Sequence, residues 1–168
     1  MTAWLNRARD FIGQKEVAGS ASNEWIVWMW ASLPGGAWYW NAYGKDDSKL
    51  PWCGAFCAFV MRDRGLTFPR KYASAREWAV WGTKLQAPAP GAVAVFQRAG
   101  GGHVGFVVGK DAKGRLLVLG GNQADSVSVA AFDPARVIAY RWPAGVPAPE
   151  SLTLPTYAHA GLTSRNEA

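Results

Sequence analysis

The feature that most constrains the fold is a change of hydrophobic periodicity near Pro88. Before it, apolar residues recur at helical spacing; after it, short β-branched runs occupy 91–98, 103–109, 115–120, 126–132 and 136–142. Because no helical pattern separates these runs, neighbouring strands must pair antiparallel. Helices followed by closely spaced strands predict an α+β fold, with N-terminal helices packed on a C-terminal antiparallel sheet of about five strands.

The first half of the chain contains four predicted helices. Capping residues and glycine stops delimit them at 2–13, 23–33, 52–65 and 74–82. Ser74 and Glu77 have the spacing of a capping box at the start of the fourth. Residues 34–51 lack periodicity and are predicted as a long loop, a length at which loops are commonly functional.

Length and charge restrict the class of protein further. The 168 residues fit one domain, predicted over 1–143, and residues 144–168 are predicted as a partly disordered tail. The net charge of +6 favours an anionic partner, but the basic residues are scattered, which argues against nucleic acid. With no long apolar run and no leader pattern, we expect a monomer made in the cytoplasm, without membrane insertion or a classical signal peptide.

Both cysteines lie in LPWCGAFCAFV (50–60), four positions apart. In a helix that begins near residue 52, Cys53 occupies the first turn, where unpaired N–H groups and the helix dipole stabilise a thiolate. Cys57 lies one turn further on, among apolar residues that favour the neutral thiol. A disulfide within one helix would be strained, so free thiols are expected. Cys53 is therefore the predicted reactive thiol and Cys57 a core residue.

The chain has two histidines, His103 and His159. His159 lies in the predicted tail, whereas His103 opens an apolar strand directly after a run of glycines. Although a lone histidine is more often structural, this position favours pairing with the cysteine. A Cys–His pair needs a third group that orients the imidazole. Asn122, after the next strand, is the first candidate, with Gln123 and Asp125 as alternatives.

A zinc site is another possible use of the two cysteines and His103. Their spacing differs from that of zinc fingers, and a fourth ligand is hard to find in the sequence. We therefore predict neither a metal nor a cofactor.

Five segments carry a resemblance to a known family when they are taken in order. PWCGAFCAFVMRDRG, PGAVAVFQR, GGHVGFVVG, LGGNQADSVSV and RVIAYRWP resemble the papain-like cysteine, histidine-dependent amidohydrolases/peptidases (CHAP) and NlpC-type peptidoglycan hydrolases. The chain is most similar to small stand-alone, endolysin-like members found in phages and prophages. The resemblance runs from about residue 4 to residue 143.

The resemblance implies a papain-like catalytic domain with Cys53 as nucleophile, His103 as base and Asn122 as the orienting residue. It implies cleavage of an amide in bacterial peptidoglycan through a thioester, by an endopeptidase or an N-acetylmuramoyl-L-alanine amidase. Many relatives have Gln before the cysteine and an acidic residue shortly before the Asn. Here those places hold Trp52 and Gly120, so the second oxyanion donor has to come from Gln123 or from loop 43–52.

The remaining expectations concern substrate and biological role. The residues expected to contact the substrate or its oxyanion are Trp52, Gln123, Tyr43, Trp40 and Asp47. We expect a phage or prophage lysis enzyme that reaches the cell wall through a holin or another exporter. The alternatives are a non-catalytic phage structural or wall-binding module, an antibacterial amidase toxin, and a thiol acyltransferase.

Overall fold

In the computed structural model, helices precede a curved β-sheet in the order that the sequence predicts. The structure describes residues 2–17, 21–98, 101–158 and 162–163. The helices cover one face of a mostly antiparallel sheet, so the predicted α+β class is confirmed. None of the described helices has the length and hydrophobicity to cross a bilayer.

The first two helices begin at residues whose side chains accept hydrogen bonds from backbone N–H groups of the first turn. Thr2 accepts a hydrogen bond from the backbone of the first helix, and Asn23 does the same for the second, as predicted. The α-helices are α1 (Ala3–Arg9), α2 (Glu24–Ser32), α3 (Gly36–Ala42) and α4 (Cys53–Asp63), and 3₁₀ helices form at Ala75–Val80 and Pro134–Arg136.

Two helix predictions are wrong. Residues 34–51 are not one continuous loop, because α3 forms within them. The ring of Tyr39 in α3 lies 5.5 Å from that of Trp30 in α2, and this tertiary contact favours a helix despite the neighbouring Pro and Gly residues. The segment after Ser74 is a 3₁₀ helix rather than an α-helix, and Ser74 makes no side-chain cap hydrogen bond.

The five predicted strands are all present and form the centre of the sheet. The strands are β1 (Thr83–Leu85), β2 (Val93–Arg98), β3 (Gly101–Asp111), β4 (Leu116–Gly120), β5 (Ser128–Phe132), β6 (Val137–Trp142), β7 (Thr156–Tyr157) and β8 (Leu162–Thr163). Their order is β1-β6-β2-β3-β4-β5-β8, with β7 beside β3. Strand β6 returns to pair with β2, so the arrangement is more than a simple meander.

The sheet is strongly curved. The ring of Phe132 on β5 stacks 4.5 Å from that of Phe96 on β2, although β3 and β4 separate those strands in the sheet order. This curvature brings β5 over the face of β3 that carries the functional side chains.

The described part of the predicted tail is not uniformly irregular. Strand β7 pairs in parallel with β3, and β8 pairs in parallel with β5. His159 lies outside the described residues.

Helix α4 is the centre of the hydrophobic core. Its side chains are buried continuously from Cys53 to Met61. Phe59 packs edge-on against Phe11, with the ring centroids 5.2 Å apart, and Phe56 lies 6.4 Å from Phe106 on β3. Because burial of one such ring contributes about 1.5–3 kcal/mol, these contacts hold α4 firmly against the sheet.

Gly54 permits a close approach between α4 and the segment that follows it. A Cβ atom at this position would overlap the backbone carbonyl oxygen of Tyr72. The carbonyl belongs to a constrained segment, since it also accepts a hydrogen bond from the indole of Trp78 at 3.0 Å.

We therefore expect Gly54→Ala to lower the free energy of unfolding by about 3 kcal/mol, since backbone cannot yield as a flexible side chain does. Gly102→Ala is the matched control, because its Cβ would meet Ala75 and Phe96 at 3.2 Å. We expect that variant to lose less than about 1 kcal/mol. Urea denaturation followed by circular dichroism measures both, and equal losses would contradict the assignment.

Candidate active site

Cys53 is the first residue of α4 and is 3 % exposed. Trp52 is the N-cap residue and offers no side-chain hydrogen bond, and the first intrahelical bond of this turn runs from Phe56 N–H to Trp52 O at 2.9 Å. The N–H groups at the start of α4 therefore have no intrahelical acceptor. This geometry can stabilise negative charge on the thiol sulfur and on an oxyanion beside it.

Cys57 lies one turn further along α4 and is fully buried. Burial raises the pKa of its thiol well above the ordinary value, and the charge of Cys53 raises it further. Cys57 therefore stays protonated and unreactive, in keeping with its predicted place in the core.

His103 lies on β3 opposite Phe96 of β2, and its side chain is 1 % exposed. The imidazole stacks parallel to the ring of Phe132, with centroids 5.1 Å apart and planes 7° apart. Its Nε2 atom lies 3.0 Å from Oε1 of Gln123. Stacking and the hydrogen bond together fix both the plane and the rotation of the imidazole.

The amide of Gln123 determines the tautomer of this imidazole. Gln123 is fully buried, and its Nε2 donates to the carbonyl oxygens of Val118 at 3.2 Å and Ser128 at 2.6 Å. These oxygens only accept, so the amide nitrogen must face them and Oε1 must face His103. An amide oxygen also only accepts, so the neutral form of His103 carries its proton on Nε2, and Nδ1 is then the ring atom that can accept one.

The side chain that lies at hydrogen-bond distance from the imidazole of His103 is that of Gln123, the alternative candidate, and a role for Asn122 in orienting the ring stays a prediction. Asn122 is half-buried and has a positive φ of 56°, and Ala124 and Asp125 have φ values of 49° and 62°. This tight turn directs the side chain of Gln123, rather than that of Asn122, to the ring of His103. Asp125, the other alternative, is exposed. The sequence indicated Gln123 only as an alternative to Asn122 for orienting the imidazole, because a turn with three left-handed residues has no clear sequence pattern.

Gly120 and Gly121, here called the glycine floor, lie against both parts of the site: Gly120 against Gln123 and His103, and Gly121 against Trp52. A Cβ on Gly120 would lie 2.8 Å from Oε1 of Gln123 and 3.2 Å from Nε2 of His103. A Cβ on Gly121 would lie 2.6 Å from the Trp52 ring. The imidazole and the start of α4 thus contact consecutive residues, which places Cys53 and His103 in the same region of the molecule.

Three residues expected to contact the substrate have other roles. Trp52 is fully buried, and its Nε1 donates to Oε1 of Glu16 at 2.6 Å. Asp47 is buried, and its Oδ2 accepts from the backbone N–H of Asn23 at 2.8 Å. Gln123 uses its amide N–H groups on backbone carbonyls and has none directed at an oxyanion. Each of these side chains is occupied inside the fold, and its contact with substrate or oxyanion stays a prediction.

Trp40 and Tyr43 lie closer to the surface. Tyr43 is exposed, and Trp40 borders a groove of about 230 Å³ between α2 and α3, together with Val27, Ala31, Ala37, Asn41 and Lys45. Substrate contact by these two residues stays a prediction. Among the described residues, no group of three or more His, Cys, Asp or Glu side chains is placed to hold a metal ion.

We predict that neutral His103 carries its proton on Nε2, since Gln123 accepts from that atom. Long-range ¹H–¹⁵N spectra of histidine-labelled protein measure the tautomer directly. Only two histidines are present, so assignment with a His159→Gln variant is simple. Gln123→Leu is expected to release the tautomer and to slow alkylation of Cys53 by iodoacetamide at least tenfold, an order of magnitude typical of lost orienting groups.

Asn122→Gly is the matched control for this prediction, because glycine tolerates the positive φ of that position. We expect it to leave the tautomer and the alkylation rate unchanged. A proton on Nδ1 in the wild-type protein, or a larger effect from Asn122→Gly than from Gln123→Leu, would reverse the assignment of the orienting residue.

A comparison with known families agrees with this geometry. A family model described as CHAP domain matches residues 14–122, well over half of the 168 residues. The match spans the start of α4, His103 and the glycine floor, and Gln123 is the first residue after it. No curated protein and no solved structure matches the chain. The chain belongs to the CHAP domain family, whose members are generally cysteine- and histidine-dependent amidases or peptidases.

Proposed function

We propose that this protein is a peptidoglycan hydrolase that cleaves an amide bond of the bacterial cell-wall peptide, as an endopeptidase or an N-acetylmuramoyl-L-alanine amidase. The observation that carries the proposal is the imidazole of His103, whose Nε2 atom lies 3.0 Å from Oε1 of Gln123, in the same region as the helix start that bears Cys53. Membership of the CHAP family supports peptidoglycan as the substrate.

In the proposed first step, Nδ1 of His103 takes the proton from the sulfur of Cys53. The thiolate attacks the carbonyl carbon of the scissile amide and forms a tetrahedral intermediate. The imidazolium then protonates the leaving amine, and the C–N bond breaks to leave a thioester on Cys53. Gln123 accepts from Nε2–H throughout, so the ring keeps its orientation while Nδ1 gains and loses the proton.

In the second step, His103 takes a proton from water, and the resulting hydroxide attacks the thioester. The C–S bond breaks, the product carboxylic acid is released, and the thiol regains its proton. We propose that backbone N–H groups in the first turn of α4 stabilise the oxyanion in both steps, because the N-terminus of a helix favours negative charge.

The charge of the protein suits an anionic cell wall. The net charge is +6, and the basic residues are spread along the chain. Such a surface favours diffuse attraction to a polyanionic polymer rather than one specific anion site. Together with the resemblance to small phage and prophage members, this supports a role in lysis by a monomer that reaches the wall through a holin or another exporter.

Digestion of purified bacterial sacculi tests the proposal. We expect wild-type protein and Cys57→Ala to release soluble fragments, and Cys53→Ala to lower the rate at least about 10³-fold, since loss of a covalent nucleophile removes most of the catalysis. Mass spectrometry of the fragments identifies the bond: free stem peptides indicate an amidase, and shortened stems indicate an endopeptidase.

Cys57→Ala serves as the matched control, because it removes the neighbouring thiol at a cost of about 1 kcal/mol in stability. If sacculi of several chemotypes release nothing, the protein is a binding module rather than a hydrolase. Equal activity of wild type and Cys53→Ala would remove Cys53 from the mechanism.

A further inference from the structure

A short segment between α1 and α2 connects two parts of the site that are far apart in the sequence. Residues 13–16, here called the strap, run antiparallel to residues 125–127. The N–H of Gly13 donates to Val127 O at 2.9 Å, and the N–H of Val127 donates to Gln14 O at 2.8 Å. The N–H of Glu16 donates to Asp125 O at 2.8 Å. The strap therefore holds the turn that carries Gln123.

The side chain of Glu16 extends to the other part of the site. Its Oε1 accepts the indole N–H of Trp52 at 2.6 Å, and Trp52 directly precedes Cys53. The opposite edge of the indole lies against Gly121, where a Cβ would approach ring carbons to 2.6 Å. The Trp52 ring thus lies between the strap and the glycine floor, and its hydrogen bond to Glu16 and its contact with Gly121 fix its orientation.

Trp52 is the residue whose backbone sets the start of α4. It is the N-cap, with φ −118° and ψ 12°, and its carbonyl accepts the first intrahelical hydrogen bond. A shift of the indole would therefore move the backbone that positions the sulfur of Cys53. Misplacement of a reacting group by about 1 Å can cost about 10²-fold in rate.

We propose that Glu16 is a positioning residue for the nucleophile: its carboxylate holds Trp52, its backbone holds the turn of Gln123, and it thereby sets Cys53 relative to His103. This inference rests on the proposed function for its effect on turnover, but its effect on the thiol can be measured separately. Glu16 acts through Trp52 and contacts neither the sulfur nor the imidazole.

The groups around Glu16 shift the pKa of its carboxyl group. Burial raises the pKa of its carboxyl group, the indole hydrogen bond lowers it, and nearby carboxylates raise it further. The charged groups that face it are Asp125 from the turn and Asp46 and Asp47 from the loop before α4. The net pKa is raised, so the charged form lowers stability at pH values above it.

The first test uses three variants and the alkylation rate of Cys53 by iodoacetamide near neutral pH. We expect Glu16→Ala and Trp52→Phe each to slow alkylation and to lower kcat on sacculi about tenfold, with KM little changed. Trp52→Phe keeps an aromatic ring at this position and removes the N–H donor together with the second ring of the indole. Glu24→Ala, which removes an exposed carboxylate at the start of α2, is the matched control and should change neither rate.

The double variant Glu16→Ala/Trp52→Phe separates positioning from general destabilisation. If both residues act through one hydrogen bond, the double variant is slowed no more than either single variant. If the alkylation rate of the double variant falls by the product of the two single effects, the two residues act independently and the proposal is wrong.

Glu16→Gln is the conservative replacement, because its amide oxygen can still accept from Trp52. We expect it to recover the alkylation rate to within about threefold of wild type. We also expect it to unfold at an equal or higher temperature at neutral pH, since it removes a charge whose pKa the fold raises. A variant that is more stable but as slow as Glu16→Ala would contradict the proposal.

A spectroscopic signature completes the test. The indole N–H resonance of Trp52, assigned by its loss in Trp52→Phe, is expected to shift with pH in wild type and to be constant in Glu16→Gln. The midpoint should be displaced upward from the ordinary pKa of a glutamate, in the direction in which the fold shifts Glu16. If sacculi remain intact while alkylation, resonance and double-variant results hold, the proposed substrate is wrong and the positioning role stands. If the resonance does not respond to Glu16, the positioning role is wrong whatever the activity.

Discussion

The site depends on one hydrogen bond, from Nε2–H of His103 to Oε1 of Gln123. The direction of this hydrogen bond is set by the carbonyl oxygens of Val118 and Ser128, which accept from the amide nitrogen of Gln123 and so turn its oxygen toward His103. A buried amide without these partners would cost about 1–3 kcal/mol for each unpaired group, so β4 and β5 hold Gln123 in one orientation. The sheet backbone thus decides which imidazole nitrogen can act as the base.

The side chain of Gln123 is neutral, and this affects how the proton is transferred between Cys53 and His103. A carboxylate in the place of Gln123 would stabilise the imidazolium through its charge, whereas an amide oxygen offers only a dipole. The start of α4 acts from the other side, since the positive end of the helix dipole favours the thiolate of Cys53. In the proposed mechanism, more of the driving force for proton transfer therefore comes from stabilising the thiolate than from stabilising the imidazolium.

The sequence predicted those parts of the fold that local patterns determine. Five strands, the caps at Thr2 and Asn23, and the burial of Cys57 in the core follow from periodicity, turn residues and helix position. Helix α3 was missed, because the packing of Tyr39 on Trp30 overrides a local composition rich in Gly and Pro. Gln123 was ranked below its neighbour, because backbone angles in the turn decide which side chain faces His103, and amino-acid type does not reveal those angles.

The glycine floor explains why the acidic group of this site lies at Glu16 and not beside the imidazole. A side chain at Gly120 would meet Oε1 of Gln123 at 2.8 Å, so a carboxylate there and the amide of Gln123 exclude each other. Gly121 in turn admits the indole of Trp52, whose N–H must then find an acceptor inside the fold. Glu16 supplies it at 2.6 Å. Gln123, the paired glycines and the half-buried carboxylate of Glu16 are therefore linked through direct contacts with His103 and Trp52, so a substitution at one of these positions is expected to disturb the others.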